Sequence, residues 1–137
     1  ALAVLMPIVA SMGGNAGTQT MTVAVRAIAT RDLSDANSWR VVRRELLVGI
    51  INGLCFAVIM GAIAAAWFQV SDLGLVIGLA MVCVLAAGAL GGIAIPLGLI
   101  RLGVDPAIAS GPFVTTVTDV VGFFSFLGIA TLWFGLR

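Results

Sequence analysis

The sequence predicts an all-α fold, a polytopic membrane bundle of four transmembrane helices, and three observations carry that prediction. The 137 residues are 61% hydrophobic and only 9% charged, with a mean hydropathy of +1.21; a soluble core of this length needs far more charge to cover its surface. Four stretches each exceed the about 20 residues that cross roughly 30 Å of hydrocarbon. None of them shows the alternation in blocks of about ten residues that a transmembrane barrel requires, and lipid admits only helices and closed barrels as spanning structures.

The spans run from about Leu2 to Val25, Val41 to Phe68, Gly74 to Ile100 and Pro106 to Phe134. Charge orients them. The first connection carries Arg26, Arg31, Arg40, Arg43 and Arg44, the second (Gln69 to Asp72) has no basic residue, and the third has Arg101. By the positive-inside rule the first and third connections are cytoplasmic, so the first span runs inward and the fourth runs outward. Trp39, Trp67 and Trp133 fall near span ends, where an indole rests at headgroup level. Glycines recur at spacing four, as Gly13 and Gly17, Gly49 and Gly53, Gly74 and Gly78, and Gly88 and Gly92, a pattern that lets helix backbones approach closely. With no basic stretch ahead of the first apolar run, a signal peptide is not expected; the chain is expected to begin within a membrane helix, as a piece of a longer protein.

Composition also removes several classes of function. A net charge of +1, from seven arginines and no lysine, gives no reason to expect nucleic acid. Cys55 and Cys83 sit in apolar runs without CxxC spacing and no histidine is present, so they are expected to be buried small hydrophobes rather than a disulfide or zinc ligands. An enzyme is not expected, because Ser11, Ser110 and Ser125 have no base in reach. Glu45 beside Arg43 and Arg44 reads as an interfacial charge, and Asp72 and Asp105 as loop acids.

The chemistry concentrates in two places. Positions i, i+3, i+4 and i+7 share a helix face, so Asn15, Thr18, Gln19 and Thr22 form one polar stripe, extended by Ser11 and Arg26. By itself such a stripe serves equally as hydrogen-bonding glue between helices. Asp119 adds a carboxylate deep in the fourth span, with Thr115 and Thr116 one turn before it. A carboxylate there costs roughly 2.5–3.5 kcal/mol even on the lenient insertion scale and marks an ion or proton path. If the fourth helix starts at Asp105 and Pro106, Asp119 shares a level with Asn15, and Pro112 lies inside the helix and frees the carbonyl of Ile108. A start at Gly111 would leave Asp119 only about 10 Å inside. Carboxylate, amide, hydroxyl and carbonyl oxygens suit a hard cation. One carboxylate per chain is thin for a divalent ion, whereas a two-fold dimer supplies two. The residues alone leave magnesium, calcium, sodium and the proton open.

The segments PIVASMGGNAGTQTMTVAVRAIATRDL and DPAIASGPFVTTVTDVVGFFSFLGIATL together resemble the membrane domain of the MgtE family of magnesium transporters, and the resemblance runs over the whole chain, 1–137, from the family's second to its fifth membrane helix. It implies a homodimeric magnesium channel of a bacterial inner membrane, conducting hydrated Mg2+ passively along the dimer axis. The pore would be lined by the first and fourth spans of both copies. The family's essential aspartate falls on Asp119, and its GGNAGTQ element on Gly13, Gly14, Asn15, Ala16, Gly17, Thr18 and Gln19. Thr22, Thr115 and Thr116 join these as expected pore-lining positions. The family's first membrane helix, and its N-terminal cytoplasmic region with paired CBS domains, are absent from this sequence. A proton- or sodium-coupled cation transporter and a non-conducting membrane scaffold are the competing readings.

Overall fold

The computed structural model describes residues 1–33 and 37–135, and within them the chain is four long helices: α1 (Leu2–Ala29), α2 (Ser38–Phe68), α3 (Ser71–Arg101) and α4 (Pro106–Phe134). α1, α2 and α3 outrun the spans read from hydropathy by one to four residues at one or both ends. Apolarity marks only the hydrocarbon layer, while the helical hydrogen-bond ladder continues until a cap stops it. Three helices, α2, α3 and α4, are long and apolar enough to cross a membrane. α1 has 28 residues, about 42 Å, but its polar centre lowers its hydropathy below theirs.

Local chemistry fixes the ends. Asp105 caps α4, its Oδ1 accepting from the Ala107 N–H at 2.8 Å, with Pro106 in the first turn. This settles the earlier of the two starts, so Pro112 lies inside a continuous helix. α3 closes through Gly103 at φ 74°: its N–H donates to the Ile100 carbonyl at 2.9 Å, and the Val104 N–H to that of Leu99 at 2.9 Å. The α1 terminus makes the same pair of bonds, Arg31 to Ile28 and Asp32 to Ala27, with Arg31 at φ 60° in the left-handed position glycine normally takes.

α3 is the central helix. α2 packs on one side of it, while α1 and α4 pack on the other and against each other. Val76, Ile77, Ala80, Met81 and Val84 of α3 are fully buried, meeting Leu5 and Val9 of α1, Ala64 of α2, and Phe126 and Ala130 of α4. All four glycine pairs are buried in helix seams. A side-chain carbon added at Gly53 would lie 2.9 Å from the Val82 Cα, and one at Gly61 would lie 2.9 Å from the Gly74 carbonyl oxygen. Only hydrogen at these positions lets the backbones meet. Cys55 and Cys83 depart from expectation: both are free and exposed, on outward faces of α2 and α3. On helices apolar all round, hydropathy does not separate the inward side from the outward one.

Candidate functional site

The seam between α1 and α4 sets the geometry of the polar residues. Thr118 is fully buried, and a side-chain carbon on Gly17 would lie 3.3 Å from its methyl, one on Gly14 3.8 Å from its Oγ1. The Thr118 hydroxyl donates to its own helix, to the carbonyls of Val114 (3.1 Å) and Thr115 (3.0 Å). Val117, the residue before it, turns toward α3, where a carbon on Gly91 would lie 3.7 Å from Val117 Cγ1; Phe113 lines an apolar cleft there with Ile95 and Leu99. Asp119 follows Thr118 by about 100° in the opposite rotational sense, which places it on the flank of α4 facing away from α3. Asp119, Thr115 and Thr116 are all exposed on that flank.

α1 mirrors this arrangement. Its buried residues, among them Val9, Gly13, Gly17 and Ala24, face α3 and α4, and Ser11, Asn15, Thr18, Gln19, Thr22 and Arg26 are exposed on the opposite side. Gly14 is half-buried at the edge between the two. Since Thr118 touches α1 at Gly13, Gly14 and Gly17, Asp119 and Asn15 lie within a turn of one level. The chain thus exposes polar residues on both α1 and α4, on the sides turned away from α3 and flanking the seam that Thr118 fills. Gly13 and Gly17 belong to that seam, and Ala16 packs against the core.

The hydroxyls on these sides act in one direction. Thr18 donates to the Gly14 carbonyl at 2.8 Å, Thr22 to Thr18 at 2.8 Å, Thr116 to Pro112 at 2.7 Å, and Thr115 to Pro112 at 3.1 Å. Each proton is spent on the helix backbone, so the lone pairs remain for whatever lies outside. With the Asp119 carboxylate among them, the two sides are rich in acceptors, chemistry that fits a cation or the hydrogens of its water shell. No arginine among the described residues pairs with Asp119. The described residues also hold no cluster of three metal-ligating His, Cys, Asp or Glu side chains, so any cation here meets one carboxylate per chain.

An apolar cleft lies elsewhere, between α2 and α3. About 460 Å³ in volume, it is lined by Leu54, Val58, Leu75, Leu79 and Val82 and is almost wholly apolar. It offers a cation nothing. Two residues escaped the sequence reading. Thr118 is the spacer in the seam, detectable beforehand only through its i, i+4 register with Val114 and Gly122. Asn52 is an exposed amide midway along α2, an isolated polar residue without the helical repeat that marked α1.

Helix length, apolarity and the polar residues exposed on α1 and α4 define a multi-pass membrane protein. Comparison with known proteins identifies which kind: residues 6–129 match the MgtE family, described as a divalent cation transporter, and the chain belongs to that family. It is 38% identical over 132 residues to the magnesium transporter MgtE of Enterococcus faecalis, 36% over 131 residues to that of Bacillus subtilis, and 39% over 134 residues to that of Thermus thermophilus. Each alignment covers 96% of this chain and 29% of the relative, so the chain spans less than a third of the proteins it matches.

Proposed function

We propose that the α1/α4 face is one half of a pathway for magnesium, completed when a second copy places the same face across a two-fold axis. The observation that carries this reading is the coincidence, at one level of the bundle, of the Asp119 carboxylate with hydroxyls whose protons are already spent inward. Hydrocarbon cannot cover such a face, because a polar group left without a partner in lipid costs several kcal/mol. A two-fold mate can cover it, and it brings a second Asp119 to the axis. All four helices then span the membrane, α1 included, because its polar side meets the pathway rather than lipid.

Magnesium gives up its water reluctantly. Two carboxylates attract the hydrated ion, while Asn15, Gln19 and the threonine oxygens accept hydrogen bonds from its shell. The flow is passive: membrane potential alone supplies a divalent ion with about 4.6 kcal/mol per 100 mV. The name carried by the relatives, magnesium transporter, supports the choice of ion.

The test is voltage-driven Mg2+ uptake into liposomes by the full-length parent protein, unsubstituted and with Asp119→Asn. Uptake in the first and loss in the second, with both still dimeric, is the expected result. Undiminished uptake by the substituted protein moves the ion site elsewhere, and uptake that appears only with an added proton or sodium gradient replaces the channel with a coupled transporter.

A further inference from the structure

The polar face is held in place from behind. At the level of the polar stripe α1 meets α3 backbone to backbone through glycines: a side-chain carbon on Gly88 would lie 2.9 Å from the Gly13 carbonyl oxygen and 3.1 Å from the Gly17 nitrogen. One on Gly92 would lie 2.7 Å from the Gly17 carbonyl oxygen and 2.9 Å from the Met21 nitrogen. These obstacles are backbone atoms, which no rotamer change moves aside. Both overlaps fall about half an ångström or more short of the 3.4 Å at which ordinary contact begins.

The direction of relief follows from the packing. α3 is fixed by α2 behind it and by α4 beside it, whereas α1 is backed by α3 and open on its far side. That far side is the stripe of Asn15, Thr18, Gln19 and Thr22, which sits at the levels of Gly13, Gly17 and Met21. A methyl inserted at Gly88 or Gly92 therefore drives α1 along the line toward the pathway. In a two-fold assembly both copies move inward at once.

We infer that Gly88 and Gly92 are positioning residues that set the aperture of the cation pathway, acting through the α1 backbone without touching the ion. The inference rests on the assignment of the pathway to the α1/α4 face. Its scale is that of other positioned sites, where an ångström of misplacement costs up to about a hundredfold. A wide, hydrated divalent ion feels a narrowed aperture before a monovalent ion does, so the ratio of Mg2+ to Na+ flux reports the aperture and not merely the amount of folded protein.

The α2–α3 seam supplies a matched control. A carbon at Gly53 meets the Val82 Cα at 2.9 Å, an overlap like that at Gly88, but it pushes α2 outward and leaves α1 where it is. Voltage-driven Mg2+ and Na+ fluxes are measured in liposomes for the full-length parent and for Gly88→Ala, Gly92→Ala and Gly53→Ala, with thermal stability recorded alongside. Expected is a fall of about tenfold or more in the Mg2+ to Na+ ratio for the first two substitutions, and an unchanged ratio for Gly53→Ala at comparable stability loss. An unchanged ratio in Gly88→Ala and Gly92→Ala, or an equal fall in Gly53→Ala, overturns the inference. Should the alanine variants fail to assemble, Val84→Ala decides. Val84 backs Gly13 from α3, and trimming it relieves the push on α1 from behind, so the Mg2+ to Na+ ratio should rise through a wider path; no shift, or a fall, overturns the inference. Asp119→Asn in the same series keeps the two ideas apart, because full flux there discards the pathway itself whatever the glycine variants do.

Discussion

The two sides of α3 are built alike and finished differently. On each side an α-helix is drawn against α3 through glycines at spacing four, with backbone atoms under 3 Å from where a methyl would stand. On each side the partner helix leaves its outer face uncovered. The outer face of α2 carries Ile51, Ile59 and Ile63 with a single amide, Asn52, whereas that of α1 is Asn15, Thr18, Gln19 and Thr22. The glycine seams thus decide only how the bundle is assembled. The outer faces carry the difference, and on the proposed function the same exposure means lipid on one side and an ion with its water on the other.

The largest test of this difference is to place one charge on each side. Ile59→Lys puts an ammonium on the lipid side, where insertion scales charge it about 2.5–3.5 kcal/mol, and the yield of membrane-inserted protein should fall steeply. Gln19→Lys puts the same charge on the polar face. It should insert at the level of the parent and abolish Mg2+ flux by repulsion. Equal loss of insertion at both positions would show that the α1 face also meets lipid, and the comparison would collapse.

Much of this division was legible in the sequence, for a specific reason. Polar residues are rare in these spans, so four of them at helical spacing in α1 announce their own face, and a lone aspartate in α4 announces its depth. Of the two starts the sequence left open for α4, the one at Asp105 and Pro106 puts the two at one level, and the capped start of α4 is that one. Apolar faces are silent in the same measure. Nothing in the sequence separates the buried flank of α3 from its outer flank, which is why Cys83 was expected inside and lies outside. Gly13 and Asn15 stand two residues apart in one motif, yet the first lies in the seam and the second on the open face. A motif records which residues occur together and is indifferent to the rotation between them.

A smaller effect separates hydroxyls by place rather than by chemistry. Thr116 and Thr131 both donate to a carbonyl four residues back, at 2.7 Å each, and both are exposed. Only Thr116 stands beside Asp119. Thr116→Val deletes an outward acceptor worth about 0.5–1.5 kcal/mol to a hydrogen-bonded water, so Mg2+ flux should fall about two- to tenfold. Thr131→Val, some 18 Å beyond Asp119 along the helix, should leave it unchanged. The flux assay checks both, and equal responses would mean that the hydroxyls matter through helix geometry alone.

The smallest effect lies at the N-terminal end of α4, where structure and charge meet in one side chain. Asp105 is exposed on the strip that runs through Ile108, Pro112, Thr115 and Asp119, and its carboxylate caps α4. Asparagine caps a helix about as well as aspartate, so Asp105→Asn removes the charge and keeps the cap, whereas Asp105→Ala removes both at a cost of about 1 kcal/mol. If the polar face extends to its mouth, Asp105→Asn should lower Mg2+ entry about twofold at low ionic strength and have no effect near 0.15 M salt, where charges more than about 8 Å apart are screened. Thermal melting should distinguish the alanine variant from the parent and leave the asparagine variant beside it. A salt-independent loss of flux in Asp105→Asn would place the carboxylate in direct contact with the ion, and the acceptor-lined face would then begin at the first residue of the helix rather than at its middle.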